Sequence, residues 1–374
     1  MDTRVIRTDI SEKEYKEALS QAAACLAGGG LVAFPTETVY GLGGDALNEE
    51  AAGRIYAAKG RPSDNPLIVH IAKVEDMERI AYVNEKAAVL AQAFWPGPLT
   101  IILPKRDVVP YATTGGLDTV AIRMPSHPAA LELIGQSGGF VAAPSANISG
   151  RPSPTRVEHV IEDMDGRIEY IIDGGKVGIG IESTIVDVSG EAPVILRPGF
   201  ITGKMMEQIV GEVQMDRALD ETGKGIRPRA PGMKYTHYAP KGELTLVESR
   251  EMDETAKETV FGGQLPDMQE AALQKRIVDN IIRLAAEKRN RGYRVGIMAS
   301  KETVANYQGH ADVVICVGDR KEQATVAAGL YGALRDFDAA DVEYIYAESF
   351  RGDGLSYAIM NRLLKAAGQR VIKV

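Results

Sequence analysis

Apolar residues recur at Tyr15, Leu19, Ala22 and Leu26, three or four apart, which predicts a helix with one buried face. Ser11 and Glu14, just ahead of it, have the spacing of a capping box, and three glycines at 28–30 end the pattern. Residues 31–34 then form an unbroken apolar run, the pattern of a buried strand. Similar runs follow at 67–71, 99–103, 119–124, 140–143, 170–172, 184–188 and 194–197. Helical periodicity lies between several of them, at 49–58, 75–94 and 127–135. Strands that are apolar throughout belong to a sheet covered on both faces. This part of the chain is therefore expected to be an α/β domain with a twisted, mostly buried mixed sheet.

The pattern fails between residues 216 and 241. The stretch from Ile226 to Pro240 carries three prolines, four basic residues counting His237, and two tyrosines. A passive linker would be rich in Gly and Ser or evenly charged; this one is suited to staying extended along a surface. Beyond it, strand patterns at 244–247, 295–298, 313–317, 344–346 and 371–372 alternate with helical ones at 269–288, 323–336 and 356–367. That alternation predicts a three-layer parallel α/β domain similar to a Rossmann fold. The expected organisation is thus a domain at 1–215, an extended connection at 216–241, and a second domain at 242–374.

Composition narrows the function classes. The chain has 374 residues, 45% apolar and 25% charged, with a net charge of −8. An acidic balance argues against a general polyanion binder. No apolar run reaches the roughly 18 residues of a membrane helix, and the N-terminus lacks a signal-peptide pattern, so a cytoplasmic location is expected. Cys25 and Cys316 stand alone with no CxxC pair, which offers neither a disulfide framework nor a cysteine zinc site. The five histidines are scattered and HExxH is absent, which disfavours a zinc hydrolase.

Candidate chemistry concentrates in short segments next to the strands. Lys59-Gly-Arg61-Pro-Ser-Asp-Asn65-Pro66 places two cations one residue apart in a stiff connection. A plain turn gains nothing from clustered like charges, whereas a site for phosphate or carboxylate oxygens does. Ala142-Ala-Pro-Ser145-Ala-Asn147 repeats that spacing with a hydroxyl and an amide; turn chemistry alone would also account for it. Pro35-Thr-Glu-Thr38-Val-Tyr-Gly-Leu-Gly-Gly44 reads as a tight backbone loop that sets Thr36, Glu37, Thr38 and Tyr40 beside a ligand. Its GxGxxA is a poor dinucleotide fingerprint, because six residues separate it from the strand. No GxxxxGK[ST] occurs, so any use of ATP proceeds without a P-loop. Glu182-Ser183-Thr184 and the cation Arg197 add groups near strand ends, and Arg123 lies within an apolar strand. A buried arginine needs an anionic partner, which either a structural carboxylate or a substrate satisfies. His70, within a strand pattern, reads by itself as a core histidine.

Taken together, FPTETVYGLGGDA, KGRPSDNPL, FWPGPLTIIL, VAIRMP, APSANISGRPSPT, STIVD, LRPG and PGMKYTHYAP resemble the threonylcarbamoyl-AMP synthase family, in its longer form with a YrdC-like domain and a C-terminal accessory domain. The resemblance implies the formation of threonylcarbamoyl-adenylate and pyrophosphate from L-threonine, bicarbonate (or CO2) and ATP, with Mg2+ on the nucleotide and no organic cofactor. The product would pass to the downstream machinery that modifies tRNA beside the anticodon, with at most a weak direct tRNA contact and no membrane partner. Carried over position by position, Lys59, Arg61, Ser145 and Asn147 form the family's KxR/SxN signature and would be the catalytic residues, with Lys59 facing the carbamate or the α-phosphate. Thr38, His70, Arg123, the Ala143 backbone and Ser183 would hold threonine; Arg61, Asn65, Thr119, Ser145, Ser153, Arg197 and Tyr235 would hold ATP. Tyr235 falls in the extended connection, which the same resemblance makes a candidate active-site cover. No protein side chain is expected to serve as a resident metal ligand. An RNA-binding protein and a hydrogenase-maturation-type carbamoyl-adenylate enzyme are the competing readings; the absence of RRM or KH signatures and of zinc-type cysteine pairs tells against them.

Overall fold

A computed structural model describes residues 2–216, 238–249, 267–352 and 354–374. The chain divides into two compact units, Met1–Ser149 with Ser153–Tyr235, and Gly150–Pro152 with Thr236–Val374.

In the first unit β1 (Arg4–Ile6) leads to α1 (Glu12–Ala27). The capping box forms as the spacing predicts: the Glu14 amide donates to Ser11 Oγ (3.3 Å) and the Ser11 amide to Glu14 Oε2 (3.1 Å). Then come β2 (Val32–Phe34), β3 (Gly41–Asp45) and α2 (Glu49–Lys59). Asn48 caps the start of α2, and Gly60, at φ 62°, ends it in the left-handed conformation that glycine adopts without strain. β4 (Ile68–His70), α3 (Met77–Ile80), α4 (Glu85–Phe94), β5 (Leu99–Pro104), β6 (Thr119–Arg123), α5 (Pro128–Gln136) and β7 (Val141–Ala143) follow. The unit closes with α6 (Val157–Met164), β8 (Tyr170–Ile172), β9 (Thr184–Asp187), β10 (Val194–Arg197), α7 (Gly203–Val210) and β11 (Gln214–Met215).

Among the described residues these strands form one eleven-stranded sheet, in the order β1-β8-β2-β3-β7-β4-β6-β5-β9-β10-β11. It is mixed: β4 runs parallel to β6, while β7 is antiparallel to both β3 and β4. Both faces are buried, as the apolar strands predict. Along β7, Ala142 joins a cluster with Leu42, Val69 and Ile122, whereas Val141 and Ala143 join one with Val32, Phe34 and Leu133. Adjacent strand residues point to opposite faces, so Ala142 and Ala143 serve different faces of the sheet.

Two expectations fail here for local reasons. The periodicity over 75–94 is not one helix: a 3-10 turn (Val74–Asp76) and α3 are separated from α4 by an extended step. There Ala81 bridges to Lys105, the Tyr82 amide donates to the Pro104 carbonyl, and the Asn84 side chain caps α4. The glycines at 41–44, expected as a loop, form β3 between β2 and β7. A Cβ on Gly43 would stand 2.8 Å from Val141 Cγ1, so close packing and not turn chemistry demands glycine there.

The second unit contains β12 (Glu243–Glu248), α8 (Asp267–Arg289), β13 (Val295–Ser300), β14 (Val313–Gly318), α9 (Gln323–Ala339), β15 (Tyr344–Glu348), α10 (Leu355–Ala366) and β16 (Val371–Lys373). Its five described strands are all parallel, in the order β14-β13-β15-β12-β16. Ile277, Ile281 and Ala285 of α8 pack on Val247, Ile297 and Ala299 of the sheet. The parallel α/β expectation holds, but this order is not that of a Rossmann dinucleotide fold, so the likeness stops at an open parallel sheet. At the carboxyl ends of its strands the fully buried Glu348 accepts hydrogen bonds from Ser300, Thr303, Tyr307 and Arg320. The rim loops are thereby tied together.

Candidate active site

The two signature pairs meet in the folded first unit. Lys59, the last residue of α2, is 3% exposed, and its Nζ donates to the backbone carbonyls of Ser145 and Asn147 (2.5 Å each). Asn147 Oδ1 lies 3.5 Å from the same nitrogen and accepts from Ser145 Oγ at 2.5 Å. The Ser149 amide donates to the Lys59 carbonyl (2.9 Å). The ammonium is therefore a bracket between the end of α2 and the loop after β7. Arg61 leaves the Gly60 turn with its guanidinium folded over its own segment, donating to the carbonyls of Asn65 and Pro66 (3.1 Å each). Asn65 is 1% exposed, and its Oδ1 is buried without a hydrogen bond among the described residues.

A second group lies where β4 and β6 end side by side, with His70 opposite Arg123. Arg123 is 4% exposed and donates from Nη2 to Glu37 Oε1 (2.7 Å), while the Ser126 amide donates to Glu37 Oε2 (3.1 Å). The anionic partner that a buried arginine requires is thus Glu37, on the connection between β2 and β3. Burial would raise the Glu37 carboxyl, but the Arg123 guanidinium and the backbone amides outweigh it and hold it below the ordinary carboxylate range. Arg123 Nε remains a buried donor without an acceptor among the described residues.

His70 packs edge-on against Phe34 and donates from Nδ1 to the Ile68 carbonyl (3.1 Å). Burial, reinforced by the Arg123 charge, pushes its pKa down to about 3. The ring is neutral at physiological pH and offers polar atoms without a charge. Its linkage to stability follows directly. The unfolded chain takes up a proton near pH 6.5 that the folded chain refuses until about pH 3. Stability is therefore unaffected by this group above pH 6.5 and falls as the pH drops from there towards 3. Melting curves between pH 7 and 4.5 should show a shallower fall for His70→Asn than for the unsubstituted protein; identical slopes would refute the assignment.

Thr38 and Ser183 are both fully buried. Thr38 sits in the β2–β3 connection, with its Oγ1 2.8 Å from Thr36 Oγ1 and its carbonyl accepting from the Gly180 amide. Ser183 Oγ lies 2.7 Å from Thr100 Oγ1, and Arg197 holds Ser183 with a two-pronged grip, Nε to its carbonyl (3.0 Å) and Nη2 to its hydroxyl (3.1 Å). Ser153 donates to Glu182, the neighbour of Ser183, at 2.6 Å. The Ala143 backbone lies on β7 opposite Ile68. Thr119 opens β6 four residues before Arg123, about 13 Å along the strand, so the transferred positions trace an elongated strip and not a single point. Tyr235 and residues 217–237 lie outside the described residues.

Direct bonds therefore join Lys59, Ser145 and Asn147, join Arg61 to Asn65, and join Arg197 to Ser183. Tyr40, expected beside a ligand, instead donates from its hydroxyl to the Gly175 carbonyl (2.7 Å) and accepts from the Gly174 amide (3.0 Å). The sequence marks neither Thr100 as the partner of Ser183, nor Glu182 as the acceptor for Ser153, nor Glu37 as the partner of Arg123. The requirement of a buried arginine for an anion pointed to a carboxylate but not to which one.

Similarity to known proteins now bears on this arrangement. A family model described as telomere recombination (Sua5, YciO and YrdC proteins) matches residues 24–199, and one described as the threonylcarbamoyl-AMP synthase C-terminal domain matches residues 201–368. The chain is 48% identical to the threonylcarbamoyl-AMP synthase of Bacillus subtilis, over 95% of this chain and 94% of that one. The chain belongs to the threonylcarbamoyl-AMP synthase family. It is also 47% identical to the Pyrococcus abyssi threonylcarbamoyl-AMP synthase, over 98% of both chains. The crystal structure of P. abyssi Sua5 complexed with L-threonine superposes with a TM-score of 0.85 at 44% identity, covering 100% of both chains. The resemblance read from the motifs is thereby borne out for both parts of the chain, and the chain has the architecture of a threonylcarbamoyl-AMP synthase.

Proposed function

We propose that the chain condenses L-threonine, bicarbonate (or CO2) and ATP into threonylcarbamoyl-adenylate and pyrophosphate. The observation that carries this reading is identity near one half with threonylcarbamoyl-AMP synthases along almost the whole chain. The burial of Thr38, His70, Arg123 and Ser183 supports it, because a reactive mixed anhydride survives only where water is excluded.

In this reading the threonine carboxylate binds Arg123, whose Nε is a buried donor, while Thr38, Ser183, the Ala143 backbone and the neutral His70 take its polar groups. The amine nitrogen attacks carbon dioxide and loses a proton, giving a carbamate. A carbamate oxygen then attacks the α-phosphorus of ATP, and pyrophosphate leaves. Two anions are being brought together, so the protein acts chiefly by fixing geometry and supplying donors. Arg61, Asn65, Thr119, Ser145, Ser153 and Arg197 serve the nucleotide. Asn147 and Lys59 act by holding Ser145 in place.

Mg2+ would enter with the triphosphate, where it neutralises phosphate charge; among the described residues no group of three or more His, Cys, Asp or Glu is placed to hold an ion. The adenylate would be consumed by enzymes that modify tRNA, which makes the cytoplasm its place of work. Among the described residues no helix is long and apolar enough to cross a membrane.

The test is pyrophosphate release from ATP in the presence of threonine and bicarbonate. Serine should support a rate roughly 10- to 200-fold lower, the range one methyl group allows. Absence of threonine-dependent release would overturn the reading.

A further inference from the structure

We infer that Thr36 is a positioning residue that commits the Thr38 hydroxyl proton inward, so that Thr38 meets the substrate as a hydrogen-bond acceptor. This rests on the functional reading above, in which Thr38 touches threonine. Thr36 is 2% exposed. Its Oγ1 lies 2.6 Å from the Val39 carbonyl, which can only accept, so the single Thr36 hydroxyl proton is spent there. The same oxygen accepts from the amides of Thr38 (3.1 Å) and Val39 (3.3 Å). Those two longer contacts come from adjacent amides and share one lone pair of the oxygen; the other faces Thr38 Oγ1 at 2.8 Å, and since Thr36 has no second proton to give, Thr38 donates and Thr36 accepts.

The consequence is chemical. With its proton committed, Thr38 Oγ1 has only lone pairs left to offer. It suits a donor on the amino acid, either the amine or the side-chain hydroxyl, and repels the carboxylate, which Arg123 takes. Reversing the polarity would set two acceptors, or two donors, against each other in a buried site, where an unmade hydrogen bond is most costly. The alternative role for Thr36, shaping the β2–β3 connection through its own backbone contacts, makes different predictions.

The experiment is a double-mutant cycle with steady-state KM values for threonine and ATP. Thr36→Val should raise the threonine KM about tenfold, the value of one buried hydrogen bond, and leave the ATP KM unchanged. In a Thr38→Val background the same substitution should add nothing. Thr36→Ser, which keeps the hydroxyl, should stay within about twofold of the unsubstituted protein. Additive effects, or equal rises in both KM values, would show a purely structural role and overturn the inference. Should Thr36→Val not fold, Thr36→Ala is carried through the same cycle under the same criteria. Repeating the cycle with L-2-aminobutyrate, which lacks the hydroxyl, separates the two donors: a Thr36 effect that vanishes assigns Thr38 to the hydroxyl, and one that persists assigns it to the amine. Loss of the functional reading is distinguishable, because it would appear in the unsubstituted protein as pyrophosphate release indifferent to threonine.

Discussion

Replacing Arg123 with leucine is expected to lower kcat/KM for threonine by between about a hundred- and a thousand-fold, and to destabilise the fold as well. Arg123 is buried and Glu37, with its side chain 14% exposed, largely so, and the two charges are 2.7 Å apart. Removing one member of such a pair costs about 3–5 kcal/mol, because the other is left as an uncompensated buried charge. The same substitution deletes the donor proposed for the substrate carboxylate, so binding and stability fall together. The two losses can be separated. Arg123→Leu/Glu37→Leu removes the orphaned carboxylate and should recover most of the melting temperature while recovering none of the threonine-dependent rate. Thermal melting and pyrophosphate release on the two variants make the measurement. A double variant that regains activity would show that Arg123 serves the fold alone.

Lys59→Met should be nearly as damaging, by a different route. The ammonium joins two carbonyls of the Ser145–Asn147 segment to the end of α2. Methionine has comparable bulk but donates nothing, which leaves two carbonyls without their charged donor. Hydrogen bonds to a charged group are worth about 1.5–3 kcal/mol each, so a fall in kcat/KM on the order of a hundredfold or more is expected for both substrates. Lys59→Arg should rescue little, since a planar fork does not reproduce a compact three-donor ammonium. A charge acting directly on the carbamate would instead lower kcat and leave both KM values in place, and that pattern would sink the bracket reading.

Much of the fold was legible in the chain because the deciding patterns are local. The capping box at Ser11 and Glu14 and the strand at 170–172 need only neighbours a few residues away. The stretch at 75–94 misled because helical periodicity continues through Ala81 and Tyr82, where pairing with Pro104 at the end of β5 and with Lys105 just beyond it wins over local preference. The glycines at 41–44 misled for a similar reason. Glycine is common in loops, and the Val141 side chain that comes nearest to a Cβ at Gly43 is remote in sequence.

The site divides along the same line. The sequence by itself determined which cations, hydroxyls and amides are present, their spacing, and the family to which that combination belongs. Only the tertiary structure decided what each one faces. Glu37 and Arg123 are 86 residues apart, as are Lys59 and Ser145, and strand order and register bring each pair together. Those depend on how whole faces pack, which no local spacing encodes. Lys59, which reads in the sequence as a charge for a substrate anion, is spent on the backbone for that reason.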